Sequence, residues 1–333
     1  RVLDGAVAVF CAVGGVEPQS ETVWRQADKY QIPRIAFVNK MDRVGANFDR
    51  CIAMISKRLG ANPLPIQLPV GSEAEFEGII DLVEEKMLVF DEQSLGQEIE
   101  EKEVPAAYRE IFTAARMVLL EKLADFDEDI MEKYLNDTSV SASEIYSALR
   151  TATIALEIVP VLCGSAFKNK GVQPLLDSVV RYLPSPIDVK GIEGEGRNGE
   201  IVSIKSDPKE HLAALVFKLM SDSFVEHLAF VRVYSGKIAL GDKVFNPIKK
   251  KQEKITKLLK LHANKREEVQ EISAGDIGAI VGLKFTTTGD TLCSKGDYIV
   301  LESMDFPDPV IGVAIEPRSK ADEKKLTETL DKI

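Results

Sequence analysis

Apolar residues follow two different patterns along the chain. In residues 4–13, 33–38 and 159–163 they run on without alternation and are rich in Val, Ile, Ala and Phe, as strands buried on both faces of a parallel sheet do. Residues 20–30, 48–59 and 172–183 carry apolar positions at helical spacing and predict helices that cover that sheet. The same period returns over 108–123 and 143–156, so a helix-rich α+β insertion is expected to split the α/β part. Leu183-Pro184-Ser185-Pro186 closes the last helix, because proline lacks the backbone donor and pushes the residue before it out of the helical region.

From Ala213 onward the pattern is strand and turn. Gly241-Asp242, Gly275-Asp276, Gly289-Asp290 and Gly296-Asp297 mark the turns, since glycine supplies the positive φ that tight hairpins need. The spacing predicts an all-β barrel or sandwich. Residues 255–261 fit helix or strand, and the turns on both sides favour strand. Past Phe306-Pro307-Asp308-Pro309, a strand over 310–315 and a helix from Ala321 are expected to begin a third, α+β unit. The expected allotment is 1–65 and 159–188 for the α/β domain, 66–158 for the insertion, 189–304 for the β-barrel and 305–333 for the start of the third unit.

Composition narrows the class. The 333 residues are 45% hydrophobic and 29% charged, the balance of a globular protein, and no apolar run approaches the roughly 18 residues of a membrane-spanning helix. The four cysteines, Cys11, Cys51, Cys163 and Cys293, are scattered without a Cys-x-x-Cys pair, which signals neither a disulfide framework nor a zinc site and fits a reducing cytoplasm. The chain runs from Arg1 straight into an apolar strand without a charged leader, so it is expected to start inside a domain.

The net charge of −11 hides a division. Residues 73–137 hold 20 Asp and Glu against 6 Lys and Arg, and the remainder is mildly basic, with 36 Lys and Arg against 33 Asp and Glu. Within that remainder, residues 249–266 place Lys249, Lys250, Lys251, Lys254, Lys257, Lys260, Lys265 and Arg266 against Glu253 alone. Such a strip is either a phosphate-contacting surface on a predicted hairpin or a solvated face that keeps the protein soluble.

Asn39-Lys40-Met41-Asp42 follows directly on the buried run 34–38, which puts it at the carboxyl end of a parallel strand, where α/β ligand sites form. Guanine offers two adjacent donors, its ring N–H and its amino group, and the two carboxylate oxygens of Asp42 can accept both. Adenine offers an acceptor at the ring position, so the same carboxylate selects against it. Asn39 can bond the other edge of the base and tie the loop together, and the Lys40 stem can lie along the ring. Cys163-Gly164-Ser165-Ala166 ends a second buried run. There a backbone N–H near Ala166 can donate to the guanine carbonyl and the Ser165 hydroxyl can brace Asp42. Either motif alone is also an ordinary turn; together they point to guanine nucleotide binding.

No Gly-x-x-x-x-Gly-Lys-[Ser/Thr] loop occurs, so the usual cradle for the phosphates and the hydroxyl for Mg²⁺ are missing. His211, His227 and His262 have no nucleophile pattern around them and are expected to be structural or surface residues. Asp125, Asp127 and Asp129 lack the glycine and terminal glutamate of a calcium loop and are expected to be a solvated cap.

The chain resembles bacterial elongation factor G, a translational GTPase. The resemblance is carried by Arg1-Val2-Leu3-Asp4-Gly5-Ala6, Val38-Asn39-Lys40-Met41-Asp42-Arg43, Arg58-Leu59-Gly60-Ala61-Asn62-Pro63, Gly164-Ser165-Ala166-Phe167-Lys168-Asn169-Lys170-Gly171, Phe230-Val231-Arg232-Val233-Tyr234-Ser235-Gly236, His262-Ala263-Asn264 and Thr287-Thr288-Gly289-Asp290-Thr291-Leu292-Cys293. It implies an internal piece: a partial P-loop GTPase α/β domain with its insertion, the whole translation-factor β-barrel and the start of a third domain. The phosphate loop, both switches and the catalytic histidine would precede Arg1, which leaves no catalytic and no metal residue here.

The resemblance further implies GTP or GDP held at the base by Asn39, Lys40, Asp42, Ser165, Ala166 and Phe167, with Mg²⁺ bound only through the missing part. In the intact family GTP hydrolysis drives ribosomal translocation of tRNA and mRNA. The β-barrel would meet small-subunit ribosomal RNA, fitting Lys249, Lys250, Lys251, Lys254 and Lys257, and the insertion would face the ribosomal stalk protein. A monomer in the cytoplasm, with tRNA and mRNA contacted indirectly and no membrane partner, completes the expectation. A paralogue serving ribosome recycling or ribosome protection, or a catalytically silent binding module, are the alternatives.

Overall fold

The runs of unbroken apolar residues become the strands of a parallel sheet. In a computed structural model that describes residues 2–91, 94, 96–189, 191–222, 225–263, 265–301, 312–317 and 319–330, the chain divides into two compact units, residues 3–184 and residues 1–2 with 185–333.

The first unit begins with β1 (Ala6–Cys11), α1 (Pro18–Lys29), β2 (Arg34–Asn39), α2 (Phe48–Leu59) and β3 (Pro63–Pro65). The insertion then contributes β4 (Gln67–Val70), β5 (Gly78–Asp81), β6 (Lys86–Phe90), β7 (Ile99–Glu103), α3 (Arg109–Ala124), α4 (Glu128–Leu135) and α5 (Ala142–Ile154), after which β8 (Val159–Cys163) and α6 (Val172–Tyr182) return to the core. The parallel sheet runs β1-β2-β8-β3. Its central strands are buried on both faces: every residue of β8 is buried, and only Asn39 of β2 is not. This explains the absence of alternation in their sequence. The adjacency of β2 and β8 matters most, because it brings the ends of two strands far apart in sequence side by side.

Local signals fix the helices. Asn47 caps α2 by accepting from Arg50 N–H, and Gly60, at φ 63°, ends it in the left-handed conformation that glycine adopts at little cost. Ser141 and Glu144 form a reciprocal capping box at the start of α5. Asp127 accepts from Ile130 N–H at 3.0 Å and caps α4, the role expected of that aspartate group. The insertion carries, beside its helices, an antiparallel sheet ordered β4-β5-β6-β7. β7 is its acidic outer edge, with Glu100, Glu101 and Glu103 exposed.

The second unit is antiparallel throughout. It comprises β9 (Ile192–Gly196), β10 (Ile201–Ile204), β11 (Ala213–Asp222), β12 (Val225–Ser235), β13 (Lys237–Ala239), β14 (Lys243–Asn246), β15 (Lys251–Lys254), β16 (Lys257–His262), β17 (Lys265–Val269), β18 (Glu271–Ser273), β19 (Ile277–Val281), β20 (Thr291–Cys293) and β21 (Ile299–Leu301). Eight of these form one sheet in the order β15-β14-β20-β11-β12-β19-β16-β17. Val244 from one end of that order and Leu258 from the other share one core with Val216, Val231, Ile280 and Leu292, so the sheet curls around its own interior as a barrel does. The ambiguous stretch 255–261 is strand from Lys257 on, pairing with β17 and β19.

One expected element fails. Residues 312–315 of the strand expected over 310–315 are irregular and exposed, and residues 310 and 311 lie outside the described residues, as does the Phe306-Pro307-Asp308-Pro309 boundary. Apolar residues alone do not make a strand, because a strand needs a neighbour for its backbone groups, and among the described residues none pairs with 312–315. The helix expected from Ala321 is present as α7 (Lys320–Leu330).

Candidate functional site

Asn39 leaves the carboxyl end of β2, and residues 164–171 leave the carboxyl end of the adjacent β8. Asn39 Oδ1 accepts from Lys40 N–H at 2.8 Å and from Ala166 N–H at 2.9 Å, a bond spanning 127 positions of sequence. Met41 N–H donates to Gly164 O at 3.1 Å and Gly164 N–H to Val38 O at 3.0 Å. The two loops are therefore one backbone-and-amide unit, with Asn39 tying them as its sequence position suggests. Only glycine fits at 164, where a Cβ would lie 2.3 Å from Lys170 O and 2.8 Å from the Phe37 ring.

The side chains expected to read a base surround this junction. Asp42 is half-buried and has no hydrogen-bond or ion-pair partner among the described residues. Lys40 is exposed, with a left-handed backbone at φ 67°. Phe167 is 98% exposed, and its N–H reaches no backbone acceptor among the described residues. The exposed ring presents a flat apolar face against which another flat group can stack.

Two groups expected to bond the base or Asp42 have these surroundings. Near Ala166, where a backbone N–H is expected to donate to a guanine carbonyl, the N–H of Ala166 itself donates to Asn39 Oδ1, because the Asn39 amide lies between the two strand ends. Ser165, expected to brace Asp42, has a buried Oγ with no partner among the described residues; the loop closes through its backbone, which exchanges hydrogen bonds with Lys170 at 2.9 and 3.0 Å. A buried hydroxyl without a partner is costly and marks a site where a partner group belongs. Cys163, directly before this loop, is no nucleophile: burial pushes its thiol well above the usual range.

Contacts with the insertion that sequence reasoning passed over hold both loops. Glu73, at φ 57°, donates its N–H to Met41 O at 2.8 Å and accepts from Gly45 N–H on Oε1 at 2.7 Å. Lys170, 5% exposed, donates from Nζ to Phe76 O at 3.1 Å, and Gln173 Nε2 donates to Gly96 O at 2.7 Å. Gln67, 1% exposed, accepts from Cys163 N–H at 3.4 Å. The one legible signal was a glutamine inside an otherwise apolar strand; Lys170 and Glu73 sit in charged surroundings that give no hint of burial.

In the second unit the basic strip divides. Lys249, Lys250, Lys251 and Lys254 are exposed and have no carboxylate partner among the described residues. They lie on the turn and second strand of the β14–β15 hairpin, where Lys254 stands directly opposite Lys243, a lysine missed because it precedes the strip. Lys257 and Lys260 lie on β16, near the other end of the sheet order, and pair with Glu268 at 2.5 Å and Asp276 at 3.0 Å. The strip is thus not one hairpin, because residues 255–256 carry the chain from β15 into β16.

Glu253, the acid in the strip, points inward at 7% exposure and accepts from Phe285 N–H at 3.2 Å, Thr286 Oγ1 at 2.6 Å and Lys284 N–H. Asn246, fully buried, accepts from Lys249 N–H at 3.0 Å and donates to Asp290 at 2.9 Å, which fixes the turn. Lys251 Nζ lies 5.4 Å over the ring of Phe285, itself 52% exposed.

His211 pairs with Asp297 at 2.8 Å and His262 with Glu267 at 3.8 Å, all at the surface; the side chain of His227 and residue Asn264 lie outside the described residues. Among the described residues no cluster of His, Cys, Asp and Glu is arranged to hold a metal, and no helix is long and apolar enough to cross a membrane.

Residues 1–185 match the family described as the elongation factor Tu GTP binding domain, and residues 211–295 match elongation factor G domain 2. Elongation factor G 2 of Desulfotalea psychrophila is 74% identical over all 333 residues, which cover 48% of that relative; the chain spans about half its length. A crystal structure from Thermus thermophilus superposes with a TM-score of 0.81 at 28% identity, over 99% of this chain and 47% of the other.

Proposed function

The chain belongs to the elongation factor G family of translational GTPases, and from that we propose that it reads the guanine base of GTP or GDP for a factor that drives tRNA and mRNA through the ribosome. The observation that carries this reading is the junction of the two loops, where Asn39 binds Ala166 while the Asp42 carboxylate stays without a partner among the described residues. Asp42 accepts from the ring N–H and amino group of guanine, and the Asn39 amide nitrogen serves the opposite edge. The free N–H of Phe167 is the donor available to the guanine carbonyl, beside that of Ala166 if Asn39 releases it. The Lys40 stem and the Phe167 ring flank the flat faces of the base. Ser165 supplies the hydroxyl that such a site needs to hold Asp42 or the base.

These residues fit a guanine base. The 333 residues contain no Gly-x-x-x-x-Gly-Lys-[Ser/Thr] loop, so we assign none of them to the phosphates, to Mg²⁺ or to the hydrolytic step. The domain allotment of 1–65 with 159–188, an insertion at 66–158, a β-barrel at 189–304 and a third unit from 305 belongs to the same proposal. So do ribosomal RNA as partner of the β14–β15 lysines, the stalk protein as partner of the acidic insertion, and a monomer in the cytoplasm.

Titration calorimetry of the chain with GDP and Mg²⁺, with ADP as control, tests the reading. GDP binding weaker than about micromolar, selective over ADP, with no GTP hydrolysis above background, is expected. Equal binding of ADP contradicts base reading; micromolar or tighter GDP binding contradicts the assignment of phosphate contacts to none of these residues.

A further inference from the structure

The inserted lobe holds both base-reading loops from outside. Glu73 grips the first loop twice, through its N–H to Met41 O and through Oε1 to Gly45 N–H. Lys170 and Gln173 grip the second by donating into the insertion, to Phe76 O at 3.1 Å and Gly96 O at 2.7 Å. Gly96, at φ 77°, lies so close to the second loop that a Cβ would stand 2.8 Å from Asn169 O and 3.0 Å from Lys168 O. Glu73 takes a backbone conformation that non-glycine residues rarely adopt, and such conformations persist only where surrounding contacts enforce them.

The geometry points to the insertion as a clasp, with Glu73 and Lys170 as positioning residues that set how rigidly Asn39, Asp42 and residues 164–167 are held for a guanine base. This rests on the reading of those loops as the base site. Freedom in the loops lowers the fraction of time in which Asp42 and Asn39 stand ready together, and affinity falls by that fraction. Whatever bends the lobe then alters base affinity through Glu73 and Lys170.

The test is amide hydrogen exchange on the chain carrying Glu73→Ala, Lys170→Met or Glu73→Gln, with GDP and ADP affinity measured by NMR titration on the same proteins. Glu73→Ala is expected to raise exchange over 41–45 about tenfold, and Lys170→Met over 164–170 by a similar factor, while amides of β2 stay unchanged. Both variants weaken GDP binding by the factor by which the closed, competent fraction of the loops falls, and Glu73→Gln, which keeps the accepting oxygen, stays near the parent protein. Unchanged loop exchange, exchange raised uniformly through residues 3–184, or loops that are open most of the time with unchanged GDP affinity each overturn the clasp. Asp42→Asn is measured beside them: unchanged base preference in that variant removes the base reading itself, whereas failure of the clasp alone leaves Asp42→Asn selective.

Discussion

Asn39 and Ala166 stand 127 positions apart and share a hydrogen bond, whereas Lys251 and Lys257, close in sequence, fall on β15 at one end and β16 next to the other end of an eight-stranded sheet order. The first region is built to hold a few atoms at fixed places, and adjacent parallel strands, backbone bonds and a glycine that nothing can replace supply that precision. The second, in the role proposed for it, would work by charge density, which tolerates loose geometry but is cancelled wherever a lysine finds a carboxylate. A site that reads a base therefore depends on contacts distant in sequence, and a site that attracts phosphate depends on which charges are left unpaired.

The comparison is broken most severely at Gly164. Gly164→Ala drives a Cβ into Lys170 O and the Phe37 ring, and is expected to destabilise the first unit by about 3 kcal/mol and to abolish GDP binding. Urea unfolding monitored for each unit measures it, and a variant as stable as the parent would show that the loop junction has slack. Next comes Asp42→Asn, which replaces a double acceptor by an amide with its own donors. Preference is expected to move from guanosine toward xanthosine nucleotides by about a hundredfold, read by competition binding; retained guanosine preference would take Asp42 out of the base site.

Smaller effects separate the lysines. Replacing Lys249, Lys250 and Lys251 by Gln is expected to weaken ribosome binding and flatten its salt slope by about one unit for each phosphate that is no longer neutralised. Nucleotide binding should not change. Lys257→Gln is expected to change ribosome affinity by less than about twofold, because Lys257 is paired with Glu268 and an exposed pair contributes little either way. Equal effects of the two substitutions would restore the strip as a single surface.

What could be seen in the sequence follows the same division. β2 and β8 were legible because burial on both faces leaves an unbroken apolar run, and Asn39-Lys40-Met41-Asp42 stands where such a run ends; the run of β1, read as equally buried, is only partly so, with Val9 57% exposed. The bond from Ala166 to Asn39 and the lone Ser165 hydroxyl were not, since they depend on the spacing of β2 and β8 to within an ångström. Lys170 and Glu73 look like surface charges by type, and only the folded insertion puts one in the interior and bends the other. The strip misled in the opposite sense: its lysines were counted by sequence order, but Lys243 joins them across a hairpin and Lys257 and Lys260 leave them. Residues 312–315, from the strand expected at 310–315, have the right side chains and no neighbouring strand among the described residues.

The most direct test of the base-reading assignment is residue-resolved NMR titration of the chain with GDP and, separately, with ADP. Shifts with GDP confined to the amides of residues 39–45 and 164–170, and absent with ADP at the same concentration, are the expected result. Shifts of equal size with both nucleotides, or GDP shifts centred elsewhere in the chain, would contradict it.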